Sequence, residues 1–196
     1  MFQVLILIAA LATGHSIQKS DQVCSMTIAQ APSFRKLRLG MNLDEVYKVL
    51  PELRADEGFQ NNLKQAADSR LPQSAGVFVN STMTTYGGSE IVRGLKGIGL
   101  TFYENQLCDL SFEYDRPEWD SVDEFIERLR PVINLPDSFQ AEGDRNRKTW
   151  KCNEVGIYIT ISSRGGSVRF SDMNLSKRME IKRRQILKME KDEFRP

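Results

Sequence analysis

The chain has 196 residues, of which 40% are hydrophobic and 27% charged, the composition of a folded globular protein. Its 27 Lys and Arg balance 26 Asp and Glu, so it lacks the cationic excess of a nucleic-acid binder, and no nucleic-acid partner is expected. The single histidine, His15, lies close to the N-terminus, which removes Ser-His-Asp and Cys-His catalysis and histidine-ligated metal from the rest of the chain.

The chain opens with "MFQVLILIAALATG", fourteen residues without a charge. The apolar run Val4 to Ala12 is far short of the roughly 20 residues that span a bilayer. It has the length of a signal-peptide core, and Ala12-Thr13-Gly14 places small residues where a signal peptidase reads, although the preceding Met-Phe-Gln carries no Lys or Arg. Residues 1–14 are therefore expected to be a signal peptide and residues 15–34 a flexible segment. The mature chain would be periplasmic or extracellular, with no transmembrane span after cleavage.

A first helix is predicted from Asn42, a cap whose partner in a capping box is Glu45. Leu43, Val46, Tyr47 and Leu50 form its apolar stripe, and Pro51 ends it. A second short helix is predicted within residues 54–71 on Phe59, Leu63, Ala66 and Ala67. Strands follow in "GVFVNSTMT", "GIGLTFY" and "LCDLSFEY", where Cys108, Leu110, Phe112 and Tyr114 alternate with Asp109, Ser111 and Glu113. The glycines of "GLKGIG" read as a tight strand start, and "YGGSE" as a mobile turn. The pattern then recurs at a constant offset. Ser121 and Glu124 repeat the cap, Asp123 repeats the first-turn charge of Asp44, and Val122, Phe125, Ile126 and Leu129 repeat the stripe. "TWKC", "GIYITIS" and "SVRFSD" read as strands, with a glycine-assisted hairpin at Arg164-Gly165-Gly166.

These elements predict an α+β fold of two related units, each a helix packed on a three-stranded antiparallel sheet, followed by a C-terminal helix. The units span residues 35–116 and 117–173, and the basic helix residues 174–196. "RLGMNLDEVYKVLPEL", a Gly-Met turn opening an amphipathic helix, is similar to the first helix of SmpA/OmlA-type bacterial envelope proteins. The order of elements resembles the tandem arrangement of β-lactamase-inhibitor-protein-like folds. The resemblance implies an exported protein without catalytic activity that binds other proteins through its sheet or loops. It departs from the family in having no lipid-bearing N-terminal Cys, since Cys24 follows Asp-Gln-Val.

The expected function is that of a non-enzymatic, exported protein-binding or envelope-associated module, without cofactor or metal, whose partner is another protein. Exposed aromatics and arginines dominate binding hot spots, which singles out Tyr86, Arg116, Trp119 and Arg164. Trp119 has a second reading, as a core residue pinning the second helix to its strand. The alternative function is a histidine-free hydrolase of envelope glycans working through two carboxylates drawn from Glu113, Asp115, Glu118, Asp120 and Asp123. Acids at outward strand positions and in a helix first turn have an ordinary structural explanation as well. By strand parity Cys108 and Cys152 point to the core, as a candidate disulfide joining the halves or as two buried thiols, leaving Cys24 over. The tail aligns Leu175, Met179, Ile186 and Met189 on one helical face and Lys177, Arg184, Lys188, Lys191 and Arg195 on the other. Its eight basic and four acidic residues suit weak contact with an anionic surface or a simple solvated face.

Overall fold

The computed structural model describes residues 24–80, 82–83, 85–115 and 119–193. The signal-peptide segment, Arg116, Glu118 and Arg195 lie outside these residues. Four helices and seven strands follow in the order α1 (Leu43–Val49), α2 (Glu57–Asp68), β1 (Ala75–Val79), β2 (Gly97–Tyr103), β3 (Gln106–Asp115), α3 (Val122–Leu129), β4 (Gln140–Glu142), β5 (Asp144–Cys152), β6 (Val155–Ser162), β7 (Gly165–Asp172) and α4 (Met173–Glu193). The α+β class and the terminal helix agree with the sequence reading.

The caps form as their chemistry requires. Asn42 Oδ1 accepts the Glu45 N–H at 2.9 Å, and Glu45 Oε2 accepts the Asn42 N–H at 2.8 Å. Ser121 Oγ accepts the Glu124 N–H at 3.2 Å. Val46 and Leu50 at α1, and Val122, Phe125, Ile126 and Leu129 on α3, are buried as their stripes dictate. Asp56 caps α2, accepting the Phe59 N–H at 2.7 Å, and the Phe59 ring meets Phe102 on β2 at 5.4 Å.

All seven strands join one antiparallel sheet in the order β1-β2-β3-β7-β6-β5-β4. The expected pair of separate three-stranded sheets is corrected here: β3 and β7 pair with one another, so β1–β3 and β4–β7 form one sheet and share a single apolar face. Its rungs can be followed across the sheet. Val77, Leu100, Leu110, Phe170, Ile157 and Trp150 form one, and Val79, Ile98, Phe112, Val168, Ile159 and Lys148 the next. The lysine at the end of this row spends its stem on the core, while its ammonium pairs with Asp123 in the first turn of α3. Phe112 is fully buried at the joint, 4.1 Å from Phe34 and 5.7 Å from Phe170 between ring centroids. α2 packs on β1, and α3 on β5 and β6, covering this face.

The cysteines correct two expectations. The disulfide joins Cys24 to Cys152, with Cα atoms 5.2 Å apart, and Cys108 is a free buried thiol. The cause is a β-bulge: Thr101 pairs with Asp109 but Phe102 pairs with Leu107, so Cys108 is the extra residue and parity slips at that point. Leu107 and Leu110 stay in the main core, whereas Cys108 joins a separate cluster with Tyr103 and Leu175, against which Met179 packs. Residues 24–34 are correspondingly fastened rather than flexible. The Met26 N–H approaches Cys152 Sγ at 3.1 Å, the Ile28 N–H donates to Glu154 Oε2 at 2.9 Å, and Ala31 and Phe34 are buried.

Burial pushes the Cys108 thiol up to about 12, with the neighbouring Asp109 carboxylate adding to the effect. The native protein should therefore resist alkylation at mildly alkaline pH and release one reactive thiol on denaturation without reduction. Rapid labelling of the native state would contradict this packing.

Helix α4 crosses the end of the sheet. Leu175 is buried and Met179 and Ile186 are half-buried, while Lys182 reaches Glu104 at 3.2 Å and Glu190 reaches Arg70 at 3.1 Å. The packed stripe thus runs 175, 179, 182, 186 and 190. Met189, expected on it, is 63% exposed because Glu190 takes the last inward position for its ion pair.

Candidate functional site

The second face of the sheet differs in kind from the first. None of α1, α2 and α3 covers it, and α4 reaches only the end where Tyr103 and Cys108 cluster with Leu175. Side chains alternate along each strand, so the residues between those of the core rungs must form rungs of their own. One crosses all seven strands: Phe78, Gly99, Ser111, Arg169, Tyr158, Thr149 and Gln140. Beside it run Thr101, Asp109, Ser171, Gly156 and Lys151 on one side, and Gly97, Glu113, Ser167, Thr160 and Arg147 on the other. Small hydroxyl residues, glycines and charges predominate on these three rungs, with Gln140 at one edge and two aromatics, Phe78 and Tyr158, among them. This is the residue mix of an antibody combining site, in which rigid aromatics provide contact area and small polar groups adapt around them.

The two aromatics lie down on glycine. A Cβ at Gly97 would collide with the Phe78 ring and the Val79 carbonyl, and one at Gly156 would come within 2.9 Å of the Tyr158 ring. Glycine at these positions lets each ring rest on backbone, presenting its flat side outward. Phe78 is consequently 40% exposed, rare for an aromatic in a strand. Around Tyr158 the Arg169 guanidinium stands 5.9 Å and the Lys151 ammonium 5.7 Å from the ring centroid. Arg147, Tyr158, Thr160, Ser167, Arg169 and Ser171 line a shallow depression of about 330 Å³.

The charges on this face are held in place. Arg169 donates to Asp109 Oδ2 through Nε at 2.7 Å, and Arg147 and Lys151 both reach Glu142, at 3.0 and 3.5 Å. Burial holds the Asp109 carboxyl above the ordinary aspartate range, and the Arg169 guanidinium and Ser171 hydroxyl pull it back without cancelling that shift. The folded state therefore binds this proton more tightly than the unfolded chain does. The penalty for the ionised carboxylate is present at neutral pH and disappears as pH falls to about 4. Wild-type stability relative to Asp109→Asn should accordingly rise on acidification in denaturant unfolding series, and a difference that does not change with pH would contradict the assignment.

The residues singled out from the sequence are not brought together. Tyr86, expected as an exposed contact, is fully buried, and its hydroxyl donates to Asp56 Oδ2 at 2.8 Å. Burial and that hydrogen bond raise its phenol well above the usual range. The ring is turned inward, with its hydroxyl on the residue that caps α2, instead of meeting solvent. Trp119 stacks on Phe125 at 4.3 Å and meets Tyr114 edge-on at 6.5 Å, the core reading of this residue. Gly166 permits that arrangement, since a Cβ there would lie 2.7 Å from the Phe125 ring and 2.8 Å from the Trp119 ring. Arg164 is exposed in the two-residue turn between β6 and β7, near the end of the polar face.

The acids considered for hydrolysis are dispersed. Glu113 pairs with Lys96 at 3.2 Å, Asp123 with Lys148, and Asp120 supplies the N–H that Glu124 Oε2 accepts at 2.8 Å. Asp115 is exposed at the end of β3. The cavity beside Glu113, of about 210 Å³, is lined by no second carboxylate among the described residues. Among those residues no group of three His, Cys, Asp or Glu side chains is placed to hold a metal ion, and no helix is long and apolar enough to cross a membrane. No family model, curated protein or solved structure matches the chain.

Sequence reasoning missed Phe78, Arg147, Tyr158 and Arg169. A signal for part of the face was present: Asp109, Ser111 and Glu113 alternate with apolar residues on one strand, and within "GIYITIS" Tyr158, Thr160 and Ser162 alternate with Ile157, Ile159 and Ile161 in the same way.

Proposed function

We propose that this chain is an exported, non-enzymatic binding module whose polar sheet face recognises another protein. The observation that carries the reading is the rung from Phe78 to Gln140. It places two outward aromatics and Arg169 on a rigid seven-stranded surface. Aromatic and arginine side chains held on strands lose little entropy on contact and dominate binding energies at interfaces. The disulfide between Cys24 and Cys152 supports the export reading, because such bonds persist in oxidising compartments. The resemblance to SmpA/OmlA-type proteins points the same way.

The test compares natively expressed wild type with a Tyr158→Ala/Arg169→Ala double variant, both affinity-tagged at the C-terminus. Export predicts a mature mass lacking about the first 14 residues and an oxidised Cys24–Cys152 pair. Sheet-face recognition predicts a co-purifying protein that is recovered with wild type and lost, by about 100-fold in affinity, with a folded double variant. An intact reduced chain in the cytoplasm would overturn the first part, and an unchanged partner profile the second.

A further inference from the structure

Helix α4 carries a second surface, separate from the sheet face. Its inward stripe is occupied by Leu175, Met179, Lys182, Ile186 and Glu190, each packed or ion-paired. Opposite runs a second stripe at helical spacing, i, i+4, i+7, i+11 and i+14: Lys177, Ile181, Arg184, Lys188 and Lys191. All five are exposed. Leu187 stands beside this stripe, one turn from both Arg184 and Lys191. Ile181 is 47% and Leu187 44% exposed, and with Met189 they account for three of the five large exposed hydrophobic side chains among the described residues. Arg184 is tied to Glu180 at 2.7 Å, Asp192 is the other acid of the helix on this side, and at the helix start Lys177 and Ile181 border a depression that Glu154 and Asp172 also line. Lys177, Lys188 and Lys191 make no ion pair among the described residues.

We propose that α4 lies on the surface of an anionic lipid bilayer, with Lys177, Lys188 and Lys191 at the headgroups and Ile181 and Leu187 reaching the acyl boundary. Charge complementarity selects an anionic surface. The apolar side chains within the cationic stripe select a bilayer over a soluble polyanion, which offers them nothing to bury against. A helix with one face docked on its own protein and the other bearing lysines around aliphatic side chains suits peripheral, reversible attachment.

The test is co-sedimentation of the disulfide-bonded chain with phosphatidylcholine vesicles, with and without about one-third phosphatidylserine. Wild type should bind the anionic vesicles at least tenfold better than the neutral ones, and high salt should weaken binding. Lys177→Glu/Lys188→Glu/Lys191→Glu should lower affinity by about 100-fold or more, and Ile181→Ser/Leu187→Ser by about tenfold. All these positions are exposed, so both variants should keep the wild-type circular dichroism spectrum and melting temperature. Equal binding to neutral vesicles, or a triple variant that binds as wild type does, would overturn the proposal. So would competition by soluble heparin together with an unaltered Ile181→Ser/Leu187→Ser variant, an outcome that identifies a polyanion instead.

Discussion

Replacing Cys24 with Ser is expected to lower the unfolding free energy by about 4–5 kcal/mol in oxidising buffer, the loop-closure value for a link spanning 128 residues. The bond ties the start of the described chain to the end of β5, so the denatured ensemble it restricts contains both strand sets. Its removal also frees the segment whose Met26 and Ile28 amides lean on Cys152 and Glu154. Guanidinium unfolding followed by circular dichroism checks this directly. Wild type in reductant should fall to the variant's midpoint, and the variant should not respond to reductant. Cys108→Ala serves as the control, since a free thiol in a small cluster contributes only packing, about 1 kcal/mol. A Cys24→Ser protein within 1 kcal/mol of wild type would show that the bond adds nothing to the fold.

The second large effect is expected at Phe112→Ala, a loss of about 3–5 kcal/mol. Phe112 sits on β3 where the two strand sets meet. Its ring touches Phe34 from the N-terminal segment and, edge-on, Phe170 of β7. Deleting it leaves a cavity bordered by three separate parts of the chain, which cannot close together without disturbing the β3–β7 ladder. The unfolding midpoint should drop with the denaturant slope unchanged. A smaller slope would mean that the two halves then unfold separately, which the shared core argues against.

The sequence was most informative where the signal is local. Cap chemistry at Asn42 and Ser121, the four-residue stripes behind them, and the alternation in β3 from Asp109 onward depend on near neighbours in the chain, and they fold as written. Three kinds of feature resisted. The bulge at Cys108 adds one residue to a strand whose letters alternate without a break until that point, so parity gave Cys108 the wrong face and made it a candidate partner for Cys152, although its alternative reading as a buried thiol holds. Tyr86 lies in a loop rich in Thr and Gly, and nothing local reveals that Asp56, thirty positions earlier, supplies a buried acceptor. β4 is three residues of mixed character that become a strand only by pairing with β5. The candidate site belongs to the same nonlocal class. Each strand shows its own outward residues, but Phe78, Arg169 and Tyr158 fall on one rung only because β3 pairs with β7, a fact of topology rather than of local pattern.

The most direct measurement of sheet-face recognition is photo-crosslinking in the native host. A photoreactive amino acid is placed at position 158 or 78 on the polar face, and at position 64 or 127 on the exposed sides of α2 and α3 as controls. The account requires the same discrete adduct from 158 and 78, absent from 64 and 127, and lost from the position-78 probe when Arg169 is changed to Glu. Adducts of equal strength from the helix positions, or none from the sheet positions while the helix probes react, would place recognition elsewhere on the molecule.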